Sequence, residues 1–280
     1  MIALADSPDR GFLGSVASPA IQNCSYTTVS QFKDDFQHAL DTPKVDYILL
    51  SNVVPATFTT HFDNVDEDDE NPCGRWRAYD PLLELLLVQM PSKLHDCAGE
   101  AFNNHFVLAL GRIGMFQTML AWGTGRHRAP LGNKEADKAW GPIRGPSGRN
   151  MDWPTLVVET AFSETSSKLQ SDVRYWERAA AGDVNLIITL RVARNHPEII
   201  IEKWGTNAQG KAQSEQKITI RMLNGKPKIS PRAPMVFEFE RVFLRRPTTP
   251  REQRNVVLRE NDLKGIIATQ VWIMQGFLSR

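Results

Sequence analysis

The sequence predicts an α/β protein in which a mixed central sheet is flanked by helices, with extra β structure toward the C-terminus. Three consecutive patterns support this class. TLVVETAF is β-branched and apolar, which favours a strand. Apolar residues then recur at spacings of four, three and four, which indicates a helix with one apolar face: Leu169, Val173, Trp176 and Ala180. GDVNLIITLRVAR alternates apolar and polar residues, as a half-buried strand does.

Length and composition limit the class of protein further. With 280 residues and 41% hydrophobic content, the chain can form one large domain or two small ones. The net charge of +1 gives no overall basic field for nucleic acid, although a local basic surface is compatible with it. The three cysteines lack CxxC spacing, which argues against a disulfide framework and a zinc site.

The chain shows no targeting or membrane signal. MIALADSPDRGFLG has neither the basic start nor the long apolar stretch of a secretory signal. No run approaches the ~18 apolar residues of a membrane helix. We therefore expect an intracellular protein, nuclear or cytoplasmic, that does not bind a membrane.

Residues 1–81 are predicted to form an N-terminal extension. TTVSQFKDDFQHAL indicates a helix capped by Thr27 or Thr28, because phenylalanine and leucine recur every four residues. KVDYILLSNVV follows as a strand or buried segment. The acidic stretch HFDNVDEDDENPCG, which ends in proline and glycine, predicts a flexible surface loop.

A core domain is predicted over residues 82–205. MPSKLHDCAGEAFNNHFVLALGRIG indicates a long helix that begins after Ser92 and ends at Gly111 or Gly114. MFQTMLAW then predicts a strand, and the stretch up to Trp153, rich in glycine, proline and basic residues, predicts mostly loop with short extended pieces.

The opening strand–helix–strand pattern completes this core as a βαβ-like unit. Ser163 is the expected N-cap of its helix, with Glu164 in the first turn. PEIIIEKWG, QKITIRM and MVFEFERVFLR predict further strands, whereas VWIMQGFLSR is compatible with either a helix or a strand. Residues 206–280 are thus expected to form a β-rich extension packed on the same core.

Acidic residues in the core point to a metal site. The candidates are Glu100 on the long helix, Asp137 in KEADKAWGP, and Glu159 inside the apolar strand. A buried isolated carboxylate is costly, so Glu159 needs a partner. If Asp137 and Glu159 meet at a bend of neighbouring strands, they would bind Mg²⁺ or Mn²⁺, which can activate water for attack on a phosphodiester. The alternative is that both are ordinary surface residues.

The same region resembles a known family. EADKAWGP followed by WPTLVVETAFSETSSKLQSDVRYWERAAAGDVNLIITLRV is similar to the PD-(D/E)XK nuclease superfamily, which has the restriction-endonuclease-like fold. The similarity is greatest to an endonuclease branch with a migrated lysine, and to uncharacterised fungal proteins with a Lys-Glu-Ala-Asp block before the strand. MPSKLHDCAGEAF resembles the first core helix of that family, so the resemblance covers residues 82–205.

The resemblance implies a role for each candidate residue. Asp137 would be the first metal-binding aspartate, and Glu159 the acid of the (D/E)xK element. The lysine of that element would fall at Ala161, so the resemblance implies that Lys168 on the following helix replaces it. Glu100 would be the acidic residue of the first helix.

Alternatives stay open for these roles. Lys168 and Asp172 are four residues apart, so they could form a simple exposed ion pair on one helix face. Gln170 is a further polar candidate on the same helix. On the first helix, His95 and Asp96 are alternatives to Glu100 for the role of the family's acidic residue.

Basic residues around Asp137 predict contacts with substrate phosphates. Arg126 and Arg128 precede it and Arg144 follows it, and arginine binds phosphate through paired hydrogen bonds. The expected partner is therefore nucleic acid, DNA rather than RNA, although an ordinary solvated loop has the same composition. An apolar edge strand could also pair two copies of the chain into a homodimer.

Three functional hypotheses follow. The first is a metal-dependent nuclease, and the second is an inactive protein of the same fold that binds nucleic acid or a protein, which Ala161 favours. The third is an unrelated α/β interaction module. The sequence contains no Walker A, dinucleotide fingerprint, GxSxG or HExxH motif, which weakens kinase, esterase and metalloprotease readings.

Overall fold

The computed structural model describes residues 11–16, 18, 20–42, 45–63, 65, 71–123, 125–162, 166–207 and 209–279. The chain divides into two compact units. The N-terminal unit comprises Met1–Pro91 with Arg126–Glu135, and the C-terminal unit comprises Ser92–Gly125 with Ala136–Arg280. The predicted division into 1–81, 82–205 and 206–280 stays a prediction, and the compact units follow other boundaries.

The strands in the described residues are, in chain order, β1 (Ile21–Ser25), β2 (Tyr47–Ser51), β3 (Trp76–Asp80), β4 (Leu85–Gln89), β5 (Met119–Gly123), β6 (Arg126–Ala129), β7 (Gly132–Glu135), β8 (Lys138–Pro142), β9 (Leu156–Phe162), β10 (Leu186–Val192), β11 (Glu198–Thr206), β12 (Ala212–Leu223), β13 (Lys226–Ser230), β14 (Met235–Phe237) and β15 (Val256–Leu258). The α-helices are α1 (Val29–Asp41), α2 (Pro55–Phe58), α3 (Lys93–Arg112), α4 (Ser167–Ala179), α5 (Phe239–Phe243) and α6 (Ala268–Gln275). Shorter 3-10 or π-helical turns cover Thr59–Asp63, Pro72–Arg75, Phe116–Thr118 and Asp262–Ile267.

The N-terminal unit is built on a sheet with the strand order β1-β2-β4-β3-β7-β6. β1 and β2 are parallel, and the other pairs are antiparallel. Its core is rich in aromatic side chains, including Phe32, Phe36, Phe58, Phe62 and Trp76. The hairpin of β6 and β7 completes this sheet although it lies between α3 and β8 in the sequence.

The C-terminal unit carries a second sheet, with the order β13-β12-β11-β10-β9-β8-β5. β9 and β10 are parallel, whereas their neighbours pair antiparallel, so the sheet is mixed. α3 and α4 both pack on β9. Because side chains alternate across a strand, Thr160 lies near Gly99 of α3, whereas Glu159 contacts α4. The helices therefore cover opposite faces of the sheet.

The predicted α/β class, the mixed sheet flanked by helices and the extra C-terminal strands are confirmed. The βαβ-like unit is β9–α4–β10, with β9 and β10 parallel. Thr28 and Ser92 cap α1 and α3 as predicted, each through a hydrogen bond from the backbone N–H three residues on. In the described part of the chain, no helix combines the length and apolar character needed to cross a membrane.

Several local predictions need correction. α4 begins at Ser167 with Ser166 before it, whereas Ser163 and Glu164 lie outside the described residues. MVFEFERVFLR forms β14 and then α5, because Phe239, Val242 and Phe243 are buried together at helical spacing.

Two further sequence predictions depended on strand pairing and packing, which the sequence does not show. The stretch expected to be mostly loop contains β6, β7 and β8, and VWIMQGFLSR includes the end of helix α6. Much of the acidic loop, residues 66–70, lies outside the described residues.

Candidate metal and phosphodiester site

Glu159 lies in the middle of β9 and is fully buried. Its Oε1 accepts a hydrogen bond of 2.6 Å from the indole N–H of Trp176, and its Oε2 lies 3.4 Å from the ammonium Nζ of Lys168. Both donors belong to α4, so this helix supplies the partners that make a carboxylate tolerable inside the sheet.

Lys168 connects Glu159 with two further acceptors. Its Nζ is 2.9 Å from Oδ2 of Asp172, one helical turn along α4, and 3.5 Å from the main-chain oxygen of Thr160. The side chains of Lys168 and Asp172 are only 6% and 2% exposed, which excludes the simple exposed pair as a description. A lysine ammonium has three donors, and three acceptors surround this one.

Asp137 immediately precedes β8. Lys138 is in register with Val158 of β9, so Asp137 is level with Glu159 on the neighbouring strand. Its Oδ2 accepts a hydrogen bond of 2.6 Å from the backbone N–H of Thr160. A side-chain carboxylate thus takes the place of a main-chain acceptor just before β8 begins, where β9 continues beside it.

His95, in the first turn of α3, contacts both Asp137 and Thr160. Its Nε2 lies 3.2 Å from Oδ2 of Asp137 and 3.1 Å from the main-chain oxygen of Thr160. Burial by itself would lower the pKa of His95, but the Asp137 charge and the hydrogen bonds that the ring donates to Asp137 and Asp96 outweigh it and raise the pKa to about 9. The ring is therefore a cation at neutral pH, held between two oxygens.

The raised pKa of His95 predicts a pH dependence of stability in EDTA. The folded pKa of about 9 exceeds the unfolded value near ~6.5, so the proton stabilises the folded state fully below about pH 6.5. This contribution, about 3 kcal/mol, is expected to be lost as the pH rises through about 9. The imidazole resonance, assigned with His95→Gln, should titrate near that pH by NMR. All six histidines titrating below pH 7.5 would contradict the arrangement.

The donor atoms of this cluster fit a hard divalent cation. Carboxylate oxygens of Asp137 and Glu159 and the main-chain oxygen of Thr160 are the ligand types that magnesium and manganese take. Oδ2 of Asp137 and the main-chain oxygen of Thr160 both lie within 3.2 Å of Nε2 of His95, so these two oxygens converge on one position. Within the described residues, no group of three or more His, Cys, Asp or Glu side chains forms a ready metal cage, so water or substrate would have to complete the ligand set.

The structure brings Asp137, Glu159 and Lys168 together around Thr160, whereas Glu100 pairs with Lys138, the residue after Asp137. The Glu100 side chain is half exposed and accepts a hydrogen bond of 2.5 Å from Nζ of Lys138. A metal-supporting role for Glu100 stays a prediction.

The three predicted phosphate-binding arginines differ in their surroundings. Arg126, in the N-terminal unit, bonds Glu135 and three main-chain oxygens and lies over the ring of Trp76. It therefore contributes to the packing of that unit. Arg128, in the same unit, pairs with Asp63 at 3.0 Å, and Arg144 is exposed in the C-terminal unit. Contacts of the three with nucleic acid stay predictions.

Sequence reasoning gave His95 only as a rival of Glu100, and did not single out the main chain of Thr160 or the indole of Trp176. One signal was present for His95. It is four residues before Gly99 and seven before Phe102, so it shares the buried face of α3. The role of Trp176 could not be predicted without the position of α4 relative to β9.

A cavity of about 330 Å³ opens on the Glu159 side of the sheet. Thr189 of β10 is in register with Glu159, and α4 contributes Leu169 and Gln170, the residues after Lys168. The indole of Trp204 forms part of the wall and donates a hydrogen bond of 3.0 Å to Oγ1 of Thr189. A polar and aromatic recess therefore lies one strand away from the carboxylates.

Comparison with known proteins assigns the chain to no family. No protein-family model and no curated protein matches it. Among solved structures, it is similar to a proposed nuclease belonging to DUF820 from Anabaena variabilis, with 9% identity and a TM-score of 0.30, over 46% of this chain and 71% of that one. A likeness of this level carries no conclusion, so what the site can do is inferred from its own geometry.

Proposed function

We propose that the C-terminal unit is a metal-dependent nuclease, which hydrolyses phosphodiester bonds in nucleic acid, DNA rather than RNA. One observation carries this proposal: two acidic residues and a lysine from three separate segments meet around Glu159 and Thr160 of β9. The resemblance expects a lysine at position 161, where this chain has Ala161. Lys168 from α4 supplies an ammonium group next to Glu159 instead.

Each residue has a distinct role in this proposal. Asp137, Glu159 and the main-chain oxygen of Thr160 would hold Mg²⁺ or Mn²⁺, which supplies charge neutralisation and lowers the pKa of bound water. Lys168 donates a hydrogen bond to Glu159 and forms an ion pair with Asp172, and its longest contact, 3.5 Å to Thr160, is the one most readily exchanged for a water or a phosphoryl oxygen.

His95 regulates access to the oxygen pair. Its Nε2 lies against Oδ2 of Asp137 and the oxygen of Thr160, so the ring has to lose its proton or turn before another cation can use these atoms. The cavity lined by Leu169, Gln170 and Trp204 is suited to accept a base or sugar of the substrate strand beside the site.

A second candidate function is a nuclease-fold protein that binds nucleic acid or a protein partner without cutting. The full engagement of Glu159 favours it, because both carboxylate oxygens have protein donors and the side chain is fully buried. In that case the Glu159–Lys168–Asp172 cluster would serve only to hold α4 on the sheet.

A cleavage assay separates the two candidates. The chain is incubated with supercoiled plasmid or RNA and Mg²⁺ or Mn²⁺, beside Asp137→Ala, Glu159→Ala and, as an exposed acidic control in the same unit, Glu240→Ala. The nuclease proposal predicts cleavage that falls by about 10²–10³-fold in the first two variants only. Cleavage that survives both substitutions would refute it, and a wild-type chain inert on every substrate would favour the second candidate.

A further inference from the structure

A second feature of the C-terminal unit is an arginine surface, defined as Arg144, Arg246, Arg251, Arg254 and Arg259. All five side chains are exposed. In the part of the chain that the structure describes, none of them has an acidic partner within ion-pair distance. Four come from the short segment between α5 and the turn after β15.

The acidic residues of that segment are already neutralised by other partners. Glu252 is bound by both terminal nitrogens of Arg245, at 3.0 and 2.6 Å, which helps to hold its pKa below the usual range. Asp262 is bound in the same two-pronged way by Arg112, at 2.5 and 2.7 Å. Glu260 pairs with Lys264 at 2.7 Å. The positive charge of the arginine surface is therefore uncompensated.

Two recesses lie within this surface. One, of about 520 Å³, has an apolar floor from Ala109, Ile113 and Val257, with Arg254 and Arg259 among its lining residues. The other, of about 480 Å³, is lined by Thr118, Pro142, Ile143, Arg144, Phe243 and Arg245, with Gln117.

Arg251 lies between the two recesses. It covers Gly114, just after the end of α3, where an added Cβ would lie 2.9 Å from its Nη1. Ile113 lines the first recess and Gln117 the second, so Gly114 lies between them in the chain. Arg251 thus contacts the stretch of chain that joins the linings of the two recesses.

We propose that the arginine surface binds the sugar–phosphate backbone of duplex nucleic acid. Separated guanidinium groups match repeated phosphates, each of which can take paired hydrogen bonds, and apolar floors suit the sugars between them. The choice of nucleic acid over another polyanion rests on the proposed nuclease function.

The arginine surface is distinct from the carboxylate cluster. At about 1.5 Å per residue, α3 separates Arg112 beside this surface from His95 at the cluster by about 26 Å. A backbone contact there would anchor the duplex about 8 base pairs away from the bond that is cut.

The salt dependence of duplex binding tests this proposal. A labelled duplex of about 20 base pairs, roughly twice the length that this separation requires, is titrated in EDTA with the full chain and with Arg254→Gln/Arg259→Gln. The matched control is Lys226→Gln/Lys228→Gln, which removes the same charge from exposed positions on β13. The arginine variant is expected to lower the slope of log K against log salt by about 2, and the control to leave it unchanged.

Each other outcome overturns the proposal. Equal slopes in all three proteins, or equal losses in both variants, would show that the arginine surface makes no specific contact. Binding to phosphatidylserine vesicles that is lost in the arginine variant, with duplex binding intact, would assign the surface to a membrane instead. The nuclease proposal fails separately from this one. A change of slope without any cleavage refutes the nuclease function and supports the arginine surface. Cleavage with an unchanged slope supports the nuclease function and refutes the arginine surface.

Discussion

Lys168→Met is expected to abolish cleavage and to destabilise the C-terminal unit by about 3–5 kcal/mol. The substitution keeps a long side chain on α4 but leaves the carboxylates of Glu159 and Asp172 buried without their common cation. Removing one member of a buried ionic cluster costs far more than the net worth of the pair, because the remaining charge stays desolvated. Urea unfolding measures the stability, and plasmid nicking well below the unfolding midpoint measures the activity.

Lys138→Met is the matched control. Lys138 also binds a glutamate, but its side chain is 22% exposed and that of its partner Glu100 is 50% exposed. An exposed pair contributes less than about 1 kcal/mol, so this variant should stay close to wild type in stability. Equal losses of stability in the two variants would show that the cluster around Lys168 is not the desolvated network described above. Cleavage at the wild-type rate in Lys168→Met would show that Lys168 takes no part in the reaction.

Trp176→Phe is expected to weaken the site through Glu159 while leaving its other partner, Lys168, in place. The indole N–H donates a 2.6 Å hydrogen bond to Oε1, and phenylalanine cannot replace it. A hydrogen bond to a charged group contributes about 1.5–3 kcal/mol. Because this bond also fixes the orientation of a proposed metal ligand, cleavage should fall by about 10–100-fold.

Trp140→Phe provides the comparison for this substitution. Trp140 is also a buried tryptophan of the C-terminal unit, but its indole donates a 3.0 Å hydrogen bond to the neutral Oδ1 of Asn103. The two variants lose the same atoms, so the difference between their unfolding free energies isolates the charged acceptor, and should be about 1–2 kcal/mol. If Trp140→Phe reduced cleavage as much as Trp176→Phe, the effect would be one of packing.

The sheet of the C-terminal unit was predictable where the pattern is local. β9, α4 and β10 each carry their own periodicity, and the connection between them is short, so strand, helix and parallel strand follow from about forty consecutive residues. The hairpin of β6 and β7 was not predictable in this way, because it pairs with β3 in the N-terminal unit, some fifty residues earlier in the chain. Its composition of glycine, proline and basic residues indicated mostly loop with short extended pieces, but not which strand those pieces would pair with.

The residues of the candidate site likewise differ in whether they could be predicted from the sequence. Asp137 and Glu159 were singled out as acidic residues of the core, and Lys168 through the family resemblance. The structure places all three within one hydrogen-bonded cluster. His95 belongs to α3 and reaches Asp137 only through the packing of that helix on β9. That Arg126 belongs to the N-terminal unit could not be predicted from its proximity to Asp137 in the sequence, because β6 pairs with β7 in the sheet of that unit.

The most direct test of this account is the initial rate at which the wild-type chain nicks supercoiled plasmid in Mg²⁺, measured beside Asp137→Ala and in EDTA. Asp137 bonds Thr160 and His95 at the point where the proposed ligands meet, so its loss removes an oxygen ligand without touching Glu159 or Lys168. The account predicts measurable nicking that EDTA stops and that Asp137→Ala reduces by about 10²–10³-fold. Nicking at an equal rate by the variant, or by the wild type in EDTA, would contradict it.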